Sequence, residues 1–293
     1  MRLYFFGGKP YNTTMPVFDC HTHIFPPEAI RQRERIAGHD KGFAAIYGDR
    51  RARMVDAEGL AEYMDREGVD RAAAGCFPFR DAGLLRLAND YVLDAAKKDR
   101  RIMPFILVDR YDEAKAMDEA GRCFGLGAAG VGEIAWYDAP FGASERKSLD
   151  ALAAYMEQTG MALLMHLNEP VGHSYPGKTE ADFREVATFV EAHPSLRIIL
   201  AHLGGGICFY ELMPEIRKAF ALVRYDLAAT PFLYSDDLYR FAAAFLPDKA
   251  LFGSDYPLLA LSRYKPLMDG LEEGVREKFL WGNARRFFWD RSG

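Results

Sequence analysis

Residues 17–26 read VFDCHTHIFP. A short apolar run ends in two histidines one residue apart, His21 and His23. Alternate side chains of an extended chain share a face, so both imidazoles point the same way, with Asp19 expected one step earlier on that face. Whether this face is a metal claw at the rim of a barrel depends on what the chain repeats after it.

Seven more apolar runs follow the first, at 16–20. They lie at 69–76, 102–108, 128–134, 161–166, 196–202, 222–227 and 249–254, rich in Val, Ile, Leu and Ala. Between them come stretches of helical periodicity at 56–67, 84–99, 112–123, 147–159, 180–192, 210–220 and 235–245. In SLDALAAYMEQTG, Leu149, Leu152 and Met156 recur at helical spacing and Gly160 supplies a stop. Strands alternating with helices predict a parallel sheet, and eight such units in about 270 residues fit an α/β fold of the (β/α)8 TIM-barrel type. No GxGxxG follows the first strand, which argues against a doubly wound dinucleotide-binding sheet. No linker or low-complexity tract divides the chain. Residues 1–293 therefore read as one barrel domain, with 1–15 as an N-terminal flap or extension. Residues 24–55 read as a long irregular loop, a length that in a compact domain signals function.

Composition sets the bounds. Of the 293 residues 49% are hydrophobic and 27% charged, and the formal charge is −5. That balance offers no basic field for a phosphate backbone, so nucleic acid is not the expected partner. Four cysteines, Cys20, Cys76, Cys123 and Cys208, show no CxxC spacing and read as reduced. The N-terminal MRLYFFGGKPYN lacks the apolar core of a signal peptide, and no apolar run reaches membrane-spanning length. The expectations are a cytoplasmic location, a small-molecule substrate, no membrane partner and, from the apolar N-terminus, a homo-oligomer contact.

The unusual polar residues fall at the C-terminal ends of the predicted strands. His21 and His23 follow strand one, Glu133 ends strand four, His166 strand five and His202 strand six, while Asp255 follows strand eight in LFGSDYP. In a (β/α)8 barrel those ends converge on the rim where active sites are built, so six ligand-type side chains arrive at one place. Neutral imidazoles with one carboxylate suit zinc, iron, nickel or copper in a catalytic site with an open position. A zinc-held water there would have its pKa lowered to about 7.

The ordered set DCHTHIFP, LLMHLNEP, ILAHLGGG and LFGSDYP, closing with EKFLWGNARRFF, resembles the amidohydrolase superfamily. It is most similar to the amidohydrolase-related branch that includes aminocarboxymuconate-semialdehyde decarboxylase. The resemblance spans Asp19 to Phe288. It implies that His21, His23 and Asp255 bind a metal, with His166 as a further ligand. His202 would bind a second ion or act as acid or base, and Asp255 would carry a second task as acid-base catalyst. VGEIAWY is similar to the strand-four motif of TatD-type deoxyribonuclease relatives, which makes Glu133 either a ligand in a two-metal site or an acceptor for an imidazole N–H. No lysine stands there to form a carbamate bridge. One or two divalent ions are implied, Zn2+ first, with Mn2+ or Fe2+ as alternatives.

After strand five, HLNEPVGHSYPGKTEADF gathers Asn168, Glu169, His173, Tyr175 and Lys178 in a glycine- and proline-shaped loop. Lys178, with Tyr175 and His173, is expected to hold a substrate carboxylate or phosphate. Trp136 and Tyr137, just after Glu133, are expected to line the pocket. Arg80 and Arg263 are further candidate carboxylate clamps. His39 and His193 read as structural. LGGG at 203–206 lacks the lysine of a phosphate loop and reads as close backbone approach beside His202.

The leading functional expectation is a metal-dependent hydrolase that attacks an ester, lactone or amide of a small anionic substrate. The first alternative is non-oxidative decarboxylation of a small unsaturated or aromatic acid with the same ligands. A barrel that keeps the metal ligands without catalysis is the second.

Overall fold

The computed structural model describes residues 15–137 and 139–290. All eight strands lie where apolar runs stand in the sequence: β1 Phe18–His23, β2 Arg71–Gly75, β3 Ile102–Ile106, β4 Gly130–Ile134, β5 Ala162–Met165, β6 Ile198–Leu200, β7 Val223–Asp226 and β8 Ala250–Leu251. They form one parallel sheet in sequence order. The ring closes through the loop beyond β8: Cys20 N–H donates to Phe252 O at 2.8 Å, His23 N–H to Tyr256 O at 2.7 Å and Asp255 N–H to His21 O at 2.9 Å. This is a (β/α)8 barrel.

The strands read as unbroken apolar runs because both faces are buried. Leu163, Met165, Ile198 and Leu200 face outward into the large core shared with the helices. Their neighbours Ala162, Leu164, Ile199 and Ala201 face inward, with Phe18, Cys20, Phe105 and Leu251. Phe287 and Phe288 of the last helix, Asn283–Trp289, pack on this inner cluster and plug the end away from the rim.

Aspartates placed just before the helices explain where they begin. Asp56, Asp81 and Asp112 accept from the backbone N–H of Gly59, Leu84 and Lys115, each such cap being worth about 1 kcal/mol. Gly160 ends the helix Ala143–Thr159 at φ 72°, as its place in the sequence predicts.

The irregular loop expected at 24–55 is instead three short helices, Pro27–Arg31, Arg33–Ala37 and Lys41–Tyr47. Elements of five to seven residues hold fewer than two full turns, too few for periodicity to show. Ile36, Phe43 and Tyr47 tie them to the core, and the Arg33 guanidinium binds the carbonyls of Tyr47, Asp49 and Ala52. The flap expected at 1–15 lies, apart from Met15, outside the described residues.

β1 also departs from simple alternation. Its pairing with β2 shifts between Asp19 and Thr22, so Phe18 and Cys20 face inward first and His21 and His23 after the shift. Asp19 therefore does not join the histidines. Its buried carboxylate accepts from Ser254 N–H at 2.9 Å and Tyr63 O–H at 2.8 Å, anchoring β1 to the loop that carries Asp255. Burial pushes its pKa up to about 6 against those hydrogen bonds.

Candidate metal centre

Six side chains converge at the rim, in two interlocked triads. In the first, His21 Nε2 lies 3.1 Å from His23 Nε2 and 3.8 Å from Asp255 Oδ1, which is 3.0 Å from His23 Nε2. In the second, His166 Nδ1 lies 3.2 Å from His202 Nε2 and 2.9 Å from Glu133 Oε1, which is 3.4 Å from His202 Nε2. Each triad brings three ligand atoms within 4.8 Å of one another. Glu133 joins them, because its Oε2 lies 3.6 Å from His21 Nε2 and 3.9 Å from His23 Nε2. Like β1, β4 carries a pairing irregularity here, between Val131 and Ile134. Such a bulge re-aims a side chain beside a site.

The far nitrogens of three imidazoles are already committed. His21 Nδ1–H donates to Asp226 Oδ2 at 2.8 Å, and His202 Nδ1–H donates to Ala228 O at 2.9 Å. Asn168 Oδ1 accepts from Thr179 N–H at 2.9 Å, which identifies it as the oxygen, so the proton toward it at 3.1 Å belongs to His166 Nε2. The nitrogens facing the centre are therefore lone pairs, opposite one another and opposite carboxylate oxygens. A buried nest of acceptors is stable only around cations. Protons fill that role in ion-free protein, and a divalent metal with nitrogen and oxygen preference fits the same donor set.

Electrostatics agree. Burial works against charge on His21, yet Glu133 and Asp226 hold its pKa well above the usual imidazole range. Burial likewise opposes charge on His202, but Glu133 brings its pKa to about 9. Burial opposes charge on the carboxylates too, while His166 and His21 keep Glu133 well below the usual carboxylate range and His23 and His21 depress Asp255.

The centre opens into a cavity of about 590 Å³. His23, Glu133, His166, His202 and Asp255 form its floor, and Tyr47, Phe77, Tyr137, Phe232 and Leu258 supply aromatic and apolar walls. His173 and Tyr175 line it as expected of their loop, though the Tyr175 hydroxyl is committed, donating to Glu169 Oε2 at 2.7 Å.

Three expectations need correction. Lys178 is not among the lining residues; its ammonium donates to Val171 O at 2.6 Å and His173 O at 3.0 Å, fastening its own loop. Trp136 is buried in the outer core against Phe141, because consecutive residues leaving a strand point to opposite sides and only Tyr137 takes the inward one. Arg80 lines a separate surface cavity, with its guanidinium over the Tyr111 ring, and Arg263 lines neither.

Two residues of the site escape sequence reasoning. Asp226, fully buried, holds His21 through Oδ2 while Oδ1 accepts from His202 N–H at 2.8 Å. Its signal was a lone acid ending an apolar strand run at the rim. Arg53 lines the cavity over the Tyr256 ring, 5.6 Å from its centroid, and forms no ion pair with a carboxylate among the described residues. It stands in the basic run DRRAR at 49–53, too short to show as a basic field against the formal charge of −5.

The glycines of LGGG behave as expected. His202 and Leu203 both have φ 56°, and Gly205, at φ 61°, lies so close to the Asn168 carbonyl that a Cβ would stand 2.3 Å from its oxygen. Only glycine fits there.

The Amidohydrolase family profile matches residues 18–289, and the chain belongs to that family. No curated protein matches it. Among solved structures it resembles 5-carboxyvanillate decarboxylase from Novosphingobium aromaticivorans, complexed with manganese and 4-hydroxy-3-methoxy-5-nitrobenzoic acid (17% identity, 93% of this chain and 96% of that one, TM-score 0.73). It also resembles a dihydroxybenzoic acid decarboxylase from a Polaromonas species with bound manganese and 2-nitroresorcinol (18%, 95% and 98%, TM-score 0.68). A third is a probable 2-pyrone-4,6-dicarboxylic acid hydrolase from Acinetobacter baumannii with citric acid bound (14%, 94% and 99%, TM-score 0.63). At these identities the likeness is one of fold. Among the described residues no helix is long and apolar enough to cross a membrane.

Proposed function

We propose that this protein is a metal-dependent, non-oxidative decarboxylase of a small planar carboxylic acid, aromatic or conjugated. One observation carries the reading: a buried cluster of metal-ligand side chains floors a cavity whose walls are aromatic and apolar, a shape suited to a flat acid with its carboxylate directed at the cluster. The substrates named for the two decarboxylases of like fold, both aromatic acids, support it. Arg53 on the wall favours an anion. This reverses the order in which sequence alone ranks hydrolysis and decarboxylation.

In this reading His21, His23 and Asp255 would hold one divalent ion, manganese or zinc, with His166 as a further ligand. When bound, the ion supplies positive charge that orients the substrate's carboxylate and the electron-rich system next to it. His202 holds a proton at Nε2, since Ala228 O fixes its tautomer and Glu133 favours the charged ring. As the C–C bond to the carboxylate breaks, CO2 leaves, its bonding electron pair stays on carbon, and that carbon takes the proton from His202. Phe77 and Tyr137 hold the ring flat, while Phe232, Pro257 and Leu258 limit water at the reacting carbon.

Hydrolysis of an ester or lactone is the second reading. It is favoured by one observation, that the two Glu133 oxygens are divided between two triads, as in a paired metal site. Asp255 would then take the proton of the attacking water and pass it to the leaving group.

Turnover of a panel of aromatic and conjugated acids and lactones by manganese-loaded protein, in water enriched in heavy oxygen and deuterium, separates the two. Decarboxylation releases CO2 and leaves one solvent deuteron on carbon with no solvent oxygen in the organic product. Solvent oxygen in that product would instead identify a hydrolase.

A further inference from the structure

Two phenols from distant parts of the chain line the same cavity. Tyr47 closes the helix Lys41–Tyr47 of the β1–β2 connection, and Tyr137 follows β4. Packing fixes both rings. Tyr137 lies parallel to Phe77, 5.4 Å between centroids at 11°, with its other neighbour the His166 ring at 5.5 Å. Tyr47 meets Phe25 edge-on at 5.0 Å and Phe77 edge-on at 5.9 Å. Phe77 thus spaces the two rings along one wall.

Their hydroxyls are uncommitted, because neither has a hydrogen-bond partner among the described residues. The contrast with Tyr175, whose hydroxyl is spent on Glu169, is direct. Tyr47 is only 9% exposed, yet its hydroxyl, like that of Tyr137 and unlike the enclosed Tyr234 hydroxyl, is not sealed off and opens onto the cavity. Packing alone is served equally well by phenylalanine, which this chain uses at Phe25, Phe43, Phe77 and Phe79 of the same aromatic cluster.

We propose that Tyr47 and Tyr137 form a paired donor subsite for a second oxygen of the substrate, distinct from the carboxylate directed at the metal centre. The pair selects acids that carry a further acceptor oxygen, such as a second carboxylate or a ring oxygen, over the bare ring acid. Phenols are donors at neutral pH and pair best with an anionic or electron-rich oxygen. Held on separate segments against a shared ring, they keep fixed positions, as a specificity site requires. This inference rests on the acid-binding reading of the cavity proposed above.

The test is calorimetric titration of manganese-loaded protein with benzoate, isophthalate and 3-hydroxybenzoate, on wild type, Tyr47→Phe, Tyr137→Phe and the double variant, with melting temperature and metal content measured on each. Wild type is expected to bind at least one oxygen-bearing acid more tightly than benzoate. Each single variant should lose about tenfold of that preference, read as the ratio of the two affinities within one protein, and the double variant all of it. Binding of benzoate with no preference for either other acid, or a preference that survives in the double variant, overturns the subsite alone. Metal-loaded protein that binds none of the three acids overturns the subsite together with the acid-binding reading.

Discussion

His21 donates from Nδ1 to Asp226 Oδ2 at 2.8 Å, both residues being fully buried. That bond decides which nitrogen of His21 faces the metal centre. Asparagine at 226 can still accept from His202 N–H through its oxygen, but would present its NH2 group to His21 Nδ1 and push the ring toward the tautomer protonated at Nε2. Asp226→Asn is therefore expected to weaken manganese or zinc affinity about 10- to 100-fold, the usual effect of losing the group that orients a ligand histidine. A chelator-competition titration reads this directly. Unchanged metal affinity would mean that the tautomer is set elsewhere.

Glu133 divides its oxygens between the triads, so its removal reports how many ions the centre holds. If it bridges a pair, elemental analysis of wild type should give about two ions per chain and Glu133→Ala about one. About one ion in both proteins would make Glu133 a partner of His166 and His202 within a single-metal site, and would strengthen the decarboxylase reading over hydrolysis. Glu133→Ala should also destabilise metal-free protein, because it strips a buried counter-charge from the imidazoles it faces.

The pH dependence of stability follows from the same charges. His202 has its folded pKa raised to about 9, against about 6.5 in an unfolded chain. The folded state then binds the proton more tightly, so the contribution is fully present below pH 6.5 and is lost as pH rises through 9. His21, shifted upward too, adds with the same sign. Metal-free protein should therefore melt at falling temperature from about pH 6.5 to 9, while metal-loaded protein, in which the ligand imidazoles of His21, His23 and His166 are neutral and only His202 still carries the proton, should show a flatter profile. Differential scanning fluorimetry with and without chelator measures both. A metal-free melting temperature that rises across that window would contradict the assigned charge state.

The barrel was legible because its physics is repetitive. Parallel strands buried on both faces leave apolar runs that no surface strand would show, and helical periodicity with a stop such as Gly160 marks the intervals. The convergence of His21, His23, Glu133, His166, His202 and Asp255 followed from their shared place at strand ends. What escaped was local geometry without a sequence period. The pairing shift in β1 turns Asp19 away from the histidines, which a strict alternation rule cannot foresee. Trp136 and Tyr137 are neighbours of similar character, yet only one can face inward. Lys178 looked like an anion clamp because composition does not reveal that loop carbonyls already occupy its ammonium.

Arg53 and Lys178 offer a contrast that tests where the substrate's charge is met. Arg53 lines the cavity with its guanidinium over Tyr256, next to Asp255 in the chain, whereas Lys178 spends its donors on Val171 and His173. A charged hydrogen bond to a substrate carboxylate contributes about 1.5–3 kcal/mol, so Arg53→Ala should raise KM for an anionic substrate by about 10- to 100-fold with a smaller effect on kcat. Arg53→Lys should recover only part of this, because an ammonium cannot reproduce a planar, two-pronged contact. Lys178→Ala should leave that KM within about threefold, and instead loosen the loop 167–180, seen as faster amide exchange there. The opposite pattern, with KM lost in Lys178→Ala and kept in Arg53→Ala, would move the anion site onto the β5 loop and with it the orientation of substrate above the metal centre.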